Sequence, residues 1–299
     1  MVKEWQIDSL LTLLSYRFVP FPTGIGLALS KQLCKDHGAK VLLGARSAER
    51  GAKAVQDVKD HCGGEAPCEL VVMDVASDES VQKAAESLKA KDIKLDAIVN
   101  NAGTGLAHGV TDEEMINVNY RGLKRVVDNF VPLLNSSKPT RIVNVGSGAG
   151  PMYVKSQPDE RKKLLCSPDI TLEQIEELAK TGFLPDDAAH ENAWISSAGA
   201  YGLSKALTYC YTMYTAKTLA DKTIISTCLS PGFIATNIIP DEHKGSAKPV
   251  EEGTVSLRHC LFETTMDNNG WFYGSDAKRS PPHFMRNLGE PEYDGKLPW

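Results

Sequence analysis

Short apolar runs alternate with longer amphipathic patterns along most of this chain, and this alternation most constrains its fold. From residue 39 onward the runs are rich in Val and Ile, as in AKVLLGA, LDAIVNNAG and RIVNVGS. Nearly continuous apolar runs are typical of strands buried on both faces of a parallel sheet. Helical crossovers join such strands, so the pattern predicts an α/β fold with a doubly wound, mostly parallel sheet. The predicted strands lie within residues 39–45, 68–75, 95–103, 141–147, 223–232 and 270–274, after a first strand around Leu13–Phe18.

One long stretch, residues 151–197, interrupts the alternation and shows no strand pattern. It contains SPDITLEQIEELAKTGF, in which Thr171 and Gln174 form a capping box at a helix start. Leu172, Ile175 and Leu178 then share one face of that helix, and Gly182 ends it. We therefore expect a single domain over residues 1–299 with a helical insertion, and not a second domain.

Charge and cysteine usage narrow the class of protein. The chain has 33 Lys and Arg against 38 Asp and Glu, a net charge of −5, which disfavours nucleic acid as a partner. Its seven cysteines form no C-x-x-C pair, so neither a metal site nor a disulfide framework is indicated. The apolar LLTLL run near the start is too short for a membrane span. We expect a cytoplasmic protein that binds neither a membrane nor a metal.

Small and polar residues follow the predicted strands, at the edge where open α/β sheets bind ligands. Gly24, Ile25 and Gly26 open a helix, and free N–H groups at a helix start suit a diphosphate, although two glycines also serve simply to cap or pack a helix. Arg46 follows the second strand, where a cation suits a 2′-phosphate; the alternative is an ordinary solvated arginine.

The motif YGLSK places Tyr201 and Lys205 on one helix face, four residues apart. A nearby ammonium lowers the pKa of a phenol from about 10 towards neutrality, which suits proton transfer; the alternative is a solvated helix face. Ser147 ends a strand and could donate a hydrogen bond to a carbonyl oxygen that gains charge, or simply cap a turn. Asn119 lies in a predicted helix, where its amide either packs against backbone or holds a water.

Five motifs, NNAG, VNYRG, NVGS, YGLSK and SPGFIAT, occur in an order that resembles the short-chain dehydrogenase/reductase family over about residues 24–275. The resemblance implies a Rossmann-type fold, the cofactor NADP(H) and a catalytic tetrad of Asn119, Ser147, Tyr201 and Lys205. In that tetrad Tyr201 donates the proton, Lys205 binds the nicotinamide ribose, and Asn119 holds a relay water. The expected cofactor-binding residues are Gly24, Ile25, Gly26, Arg46, Asp74, Val75, Asn101, Ala102, Gly103, Tyr201, Lys205, Pro231, Gly232, Ile234 and Thr236.

The spacing of the tetrad resembles one subgroup of this family. Tyr201 follows Ser147 by 54 residues, a long separation similar to that in the monomeric carbonyl reductases and in plant menthone and salutaridine reductases. The resemblance implies a monomer whose insertion covers the surface that other members use to pair. It also implies that Phe233 is an aromatic wall of the pocket for a small-molecule carbonyl substrate.

The loop before the first helix, FVPFPTGIG, departs from the family pattern T-G-x-x-x-G-x-G. When Gly24 and Gly26 are set on the last two glycines, Pro20 replaces the first glycine and Val19 the threonine. Residues 1–23 are therefore atypical. The sequence predicts NADPH-dependent reduction of aldehydes, ketones or quinones. The alternative is a relative with impaired cofactor binding that acts as a binding or regulatory protein; a sugar-nucleotide epimerase is disfavoured because too little chain follows SPGFIAT.

Overall fold

The computed structural model describes residues 10–13, 24–137, 139–182, 199–239 and 241–299. The altered loop, with Val19, Pro20 and Pro22, lies outside these residues, as do residues 183–198, which include the end of the insertion. Among the described residues, no helix has the length and apolar character needed to cross a bilayer.

The predicted doubly wound sheet is confirmed: seven described strands pair in the order β3-β2-β1-β4-β5-β6-β7, and every pair is parallel. The chain therefore crosses from one side of β1 to the other between β3 and β4, which places a binding edge at their carboxyl ends. The strands are β1 Leu10–Leu13, β2 Val41–Ala45, β3 Cys68–Val72, β4 Ala97–Asn100, β5 Thr140–Val145, β6 Ile224–Leu229 and β7 Phe272–Tyr273.

The first strand begins earlier than the sequence predicts. We expected it around residues 13–18, but β1 begins at Leu10 and its described part ends at Leu13, opposite Gly44 of β2 and Asn100 of β4. The prediction was wrong at its start because it was positioned from the glycine turn and not from the apolar run LLTL. An apolar run is what the centre of the sheet needs, since both of its faces are covered.

Ten helices among the described residues cover the sheet or form the insertion. They are α1 Ile25–His37, α2 Ala48–His61, α3 Asp78–Ala90, α4 Asp112–Ile116, α5 Gly122–Phe130, α6 Ala149–Ser156, α7 Asp159–Leu165, α8 Leu172–Thr181, α9 Ala200–Thr218 and α10 Val255–Phe262. One π-helical turn, Asn117–Arg121, joins α4 to α5.

Both faces of the sheet carry a packed apolar layer, because successive strand residues point to opposite sides. Leu42 and Ile98 belong to the layer under α3, α5 and α9. Their neighbours Leu43 and Val99 belong to the layer under α1, α2 and α10. The two layers hold the strand ends rigidly, so the loops that follow the strands start from fixed positions.

The insertion contains α6, α7 and α8, and α8 begins and ends as predicted. Thr171 and Gln174 form the capping box, and Gly182 is the C-cap residue. Ile175 and Leu178 are buried in the same apolar layer as α9. The insertion therefore packs on the helix that carries YGLSK.

Candidate active site

A cleft of about 800 Å³ opens at the carboxyl ends of the central strands and brings most of the predicted site residues together. It lies between the first turn of α1, the loops after β4, β5 and β6, and the first turns of α9. A chain segment after β7 closes its far side. The predicted residues that line it are Gly24, Ile25, Asn101, Gly103, Ser147, Tyr201, Lys205, Pro231, Gly232, Phe233, Ile234 and Thr236.

Six predicted residues do not line this cleft. Gly26 is buried in the first turn of α1, where its carbonyl accepts a hydrogen bond from Ser30 Oγ at 2.8 Å. Arg46 and Asp74 follow β2 and β3, so they lie at the same edge of the sheet but farther along it. The other three are Val75, Ala102 and Asn119.

Tyr201, Lys205 and Ser147 form the polar centre of the cleft. Lys205 is only 6 % exposed, its Nζ donates a hydrogen bond to Val145 O at 3.0 Å, and it lies 5.7 Å from the centroid of the Tyr201 ring. Because Val145 is the last residue of β5 and Ser147 follows two residues later, this bond ties α9 to the strand that carries the serine. The arrangement holds a hydroxyl, a phenol and an amine at one end of the sheet.

Burial shifts the pKa values of the two ionisable groups in opposite directions. It lowers the pKa of Lys205 from 10.5 to about 8, because an ammonium is costly where water is excluded. It raises the pKa of Tyr201, although hydrogen bonding by Ser147 works to lower it. The pKa of Tyr201 in this structure therefore lies above its usual value and not near neutrality, because the loss of water around the phenol outweighs the hydrogen bond with Ser147.

Asn119 fixes the loop after β4, which is the first of the two roles that its residue type suggested. Its Oδ1 accepts a hydrogen bond from Thr104 N at 2.8 Å, while its Nδ2 donates to Thr104 O and to Ser204 Oγ, each at 3.0 Å. A Cβ at Gly103 would lie 3.5 Å from Asn119 Oδ1 and 3.7 Å from Lys205 Nζ. Asn119 lies in the π-helical turn. Gly103 therefore separates its side chain from the cleft.

The start of α1 lines the cleft. Gly24 is its N-cap residue; no side chain among the described residues caps the helix there, and its first turn holds no acidic residue. A Cβ built on Gly24 would meet no described atom within 4 Å. As far as the described residues go, the N–H groups and the positive end of the helix dipole are therefore available to an anion.

Comparison with known proteins agrees with this geometry. The family model described as short chain dehydrogenase matches residues 22–158. The (+)-neomenthol dehydrogenase of Arabidopsis thaliana is 31 % identical over 280 residues, which cover 84 % of this chain and 92 % of that protein. The chain belongs to the short-chain dehydrogenase/reductase family.

Further comparisons find reductases that are similar to this short-chain dehydrogenase/reductase in sequence or in fold. Carbonyl reductase [NADPH] 1 of Mus musculus is 29 % identical over 86 % of this chain and 94 % of that protein. The structure of salutaridine reductase from Papaver somniferum shares the fold, with a TM-score of 0.70 at 24 % identity over 88 % of this chain and 99 % of that one. As a member of this family the protein is an oxidoreductase, and the family uses NAD(P)(H).

Several cleft residues of this short-chain dehydrogenase/reductase escaped the sequence analysis. His108 follows β4 in a short 3-10 turn and hydrogen-bonds through Nδ1 to Thr104 Oγ1 at 2.9 Å. Met152 lies on α6, and its place could have been inferred because α6 begins directly after the Ser147 loop. The residues from the chain end, among them Phe284 and Met285, belong to no helix or strand and carried no pattern that could have placed them.

Proposed function

We propose that this protein reduces aldehydes, ketones or quinones with NADPH, and that Tyr201 gives its proton to the carbonyl oxygen. The observation that carries the proposal is the shared cleft of Ser147, Tyr201 and Lys205, which faces the open N-terminus of α1. A hydroxyl, a phenol and an amine in one partly water-excluded site suit a reaction in which an oxygen gains charge and then a proton.

The residues present suit a dinucleotide on three counts. The first turn of α1 offers uncapped N–H groups for the diphosphate. Gly103 leaves room for a ring or sugar close to Lys205. Lys205 is buried and donates one hydrogen bond within the described part of the chain, to Val145 O, so an ammonium there has further N–H donors for the hydroxyl groups of a ribose.

The chemistry divides between cofactor and protein. When bound, NADPH supplies the hydride that adds to the carbonyl carbon. Ser147 donates a hydrogen bond to the carbonyl oxygen and so fixes it beside Tyr201, whose hydroxyl then transfers its proton to that oxygen. The product is an alcohol, and solvent returns a proton to the phenolate. The raised pKa of Tyr201 keeps the phenol protonated and ready to act as the acid.

Arg46 supports a preference for NADPH over NADH. It follows β2 directly and is half-buried at the edge where a ribose 2′-position is recognised, and no acidic residue occupies residues 45–47. A guanidinium binds a 2′-phosphate through paired hydrogen bonds, whereas a carboxylate at this position would bind the 2′-hydroxyl of NAD.

We also propose a monomeric protein of the cytoplasm. The insertion helix α8 covers part of α9, and Tyr120 of the π-helical turn donates a hydrogen bond to Glu176 of α8 at 2.9 Å. This covers helices that other members would use to pair. All seven cysteines are free thiols, which accords with a reducing compartment.

The test is a titration of NADPH into the purified chain, followed by addition of a ketone. We expect quenching of protein fluorescence on binding and then oxidation of NADPH that depends on the ketone. Binding of NADPH without oxidation, for ketones and quinones of every size tried, would favour the alternative of a binding protein. An absence of NADPH binding would contradict the proposal altogether.

A further inference from the structure

The far wall of the cleft is built by the C-terminal segment, residues 284–288. Phe284, Met285 and Leu288 line the same cleft as Ser147 and Tyr201. A Cβ at Gly148 would lie 3.0 Å from Met285 Sδ, so this side chain lies against the residue that follows Ser147. Met285 therefore lines the cleft next to the loop that carries Ser147.

Arg286 anchors this segment. Its side chain is only 4 % exposed and forms an ion pair with Asp276. Its Nε donates a hydrogen bond to Ser280 Oγ at 3.1 Å, and its Nη1 donates to Glu290 O at 3.0 Å. Residues 280–299, all of which the structure describes, contain no helix or strand, so no regular backbone ladder holds this wall in place.

The wall exposes apolar surface towards the cleft. Among the described residues, eight large apolar side chains are exposed, and four of them line this cleft. Met285 is 52 % and Leu288 59 % exposed, while Phe284 and Phe233 are exposed to a smaller extent. Apolar surface gathered in one concave place, and not scattered, is typical of a binding site.

The cations beside this surface are already neutralised. Arg286 pairs with Asp276, and Lys248 pairs with Glu252 at 2.8 Å. Of the described Lys and Arg residues that line this side of the cleft, neither has an unpaired charge to attract an anionic substituent. This side of the cleft therefore gains the most binding free energy when it removes an apolar group of the substrate from water.

We propose that residues 284–288, held by Arg286, form a specificity wall that selects ketones with a bulky apolar group beside the carbonyl. The inference rests on the proposed function, since it assumes that the carbonyl binds at Ser147. Arg286 acts as a positioning residue, because it holds Met285 and Leu288 in place without meeting the substrate's reacting atoms. The apolar side chains of the wall bury the apolar group of the substrate. They therefore favour the larger of two substrates that contain the same ring.

The test compares cyclohexanone with menthone, a cyclohexanone that carries isopropyl and methyl groups. We expect kcat/KM to favour menthone by about tenfold or more, because one additional methylene in an apolar pocket changes kcat/KM by about 10–200-fold. Met285→Ala and Leu288→Ala should each lower that preference about fivefold, mainly through the KM for menthone. Both side chains are exposed, so their truncation should leave the fold intact. Arg286→Met should lower the preference similarly, and Arg286→Lys less.

Lys278→Met is the matched control, an exposed change in the same part of the chain that does not line the cleft. It should leave both ketones unaffected. The proposal is overturned if Met285→Ala and Leu288→Ala keep the wild-type preference for menthone.

A binding measurement separates this proposal from the proposed function. Phenylnaphthylamine, a neutral apolar dye, should bind the wild-type chain and be displaced by menthone. The Met285→Ala and Leu288→Ala variants should bind it about fivefold more weakly. If no ketone is reduced but dye binding still depends on Met285 and Leu288, the proposed function is wrong and the proposed apolar wall is supported. If ketones are reduced and neither dye nor preference responds to the variants, the wall fails alone.

Discussion

The two halves of the cleft bind by different means. The half formed by residues 24–103 presents small residues and backbone: the open start of α1 at Gly24, and Gly103 beside Lys205. The half formed by residues 145–288 presents side chains with individual roles, among them Ser147, Tyr201 and Met285. A backbone site tolerates changes in its side chains, whereas a side-chain site depends on each group. Single substitutions should therefore cost far more in the second half than in the first.

The largest effect should come from Tyr201→Phe in the second half. We expect kcat to fall about 10³-fold, because general acid catalysis contributes that much and no other described phenol lines the cleft. NADPH affinity and the unfolding midpoint should not change. The matched control is Tyr209→Phe, the same change two turns farther along α9 and outside the cleft. Substantial turnover by the Tyr201→Phe protein would place the acid elsewhere.

Lys205 joins the two halves, and its lowered pKa makes its contribution depend on pH. The ammonium is charged below about pH 8, so NADPH affinity should fall about tenfold as the pH rises through this value and a charged hydrogen bond is lost. NADPH titrations across this range should show the fall in wild type. Lys205→Met should bind NADPH weakly, with an affinity that does not change across this pH range. If the affinity of that variant falls with pH as the wild-type affinity does, the titrating group is not Lys205.

The same residue should change stability with the opposite sign. Between about pH 8 and 10.5 the unfolded chain keeps a proton on Lys205 that the folded chain has lost. Its contribution to the free energy of unfolding should therefore increase as the pH rises through this range. The denaturant midpoints of wild type and Lys205→Met, measured at both ends of this pH range, isolate the contribution of Lys205 to the free energy of unfolding.

An effect of similar size on NADPH binding should follow Arg46→Ala, a side-chain change at the sheet edge beyond the backbone-dominated half. We expect NADPH binding to weaken about tenfold, through loss of a charged hydrogen bond to the 2′-phosphate, and NADH binding to stay the same. Lys53→Ala, an exposed change on the adjacent helix α2, serves as the control. Equal affinities for the two cofactors in wild type would show that Arg46 does not discriminate between them.

The smallest effect should come from the loop at residues 18–23. Proline has no N–H and a fixed φ near −65°, so Pro20 offers less than a glycine to a diphosphate. Replacing residues 18–23 with Val-Thr-Gly-Gly-Asn-Lys should strengthen NADPH binding several-fold, since the start of α1 already supplies part of the site. Unchanged NADPH affinity in this graft would mean that the prolines do no harm.

The sheet and the centre of the site could be predicted from the sequence, because both produce local patterns of residues along the chain. Buried parallel strands read as apolar runs, and the residue after such a run marks the binding edge, as Ser147 does after β5. The spacing of Tyr201 and Lys205 likewise fixed their shared helix face.

What the sequence could not supply depends on contacts between distant residues. The wall at residues 284–288 follows from the ion pair of Arg286 with Asp276 and from hydrogen bonds in a segment without periodicity. The direction of the pKa shift of Tyr201 depends on how much water the packed cleft excludes, which residue types alone do not show. The start of β1 was misplaced because a glycine turn was given more weight than an apolar run.

The most direct test of the central claim follows the hydride itself. The purified chain is incubated with menthone and with NADPH that carries deuterium at both positions of the nicotinamide C4, and the product is analysed by mass spectrometry. The account predicts an alcohol with one deuterium on its carbinol carbon, formed in proportion to the NADPH consumed. NADPH consumption without deuterium in the alcohol, or bound NADPH with no alcohol formed from any ketone tried, would contradict it.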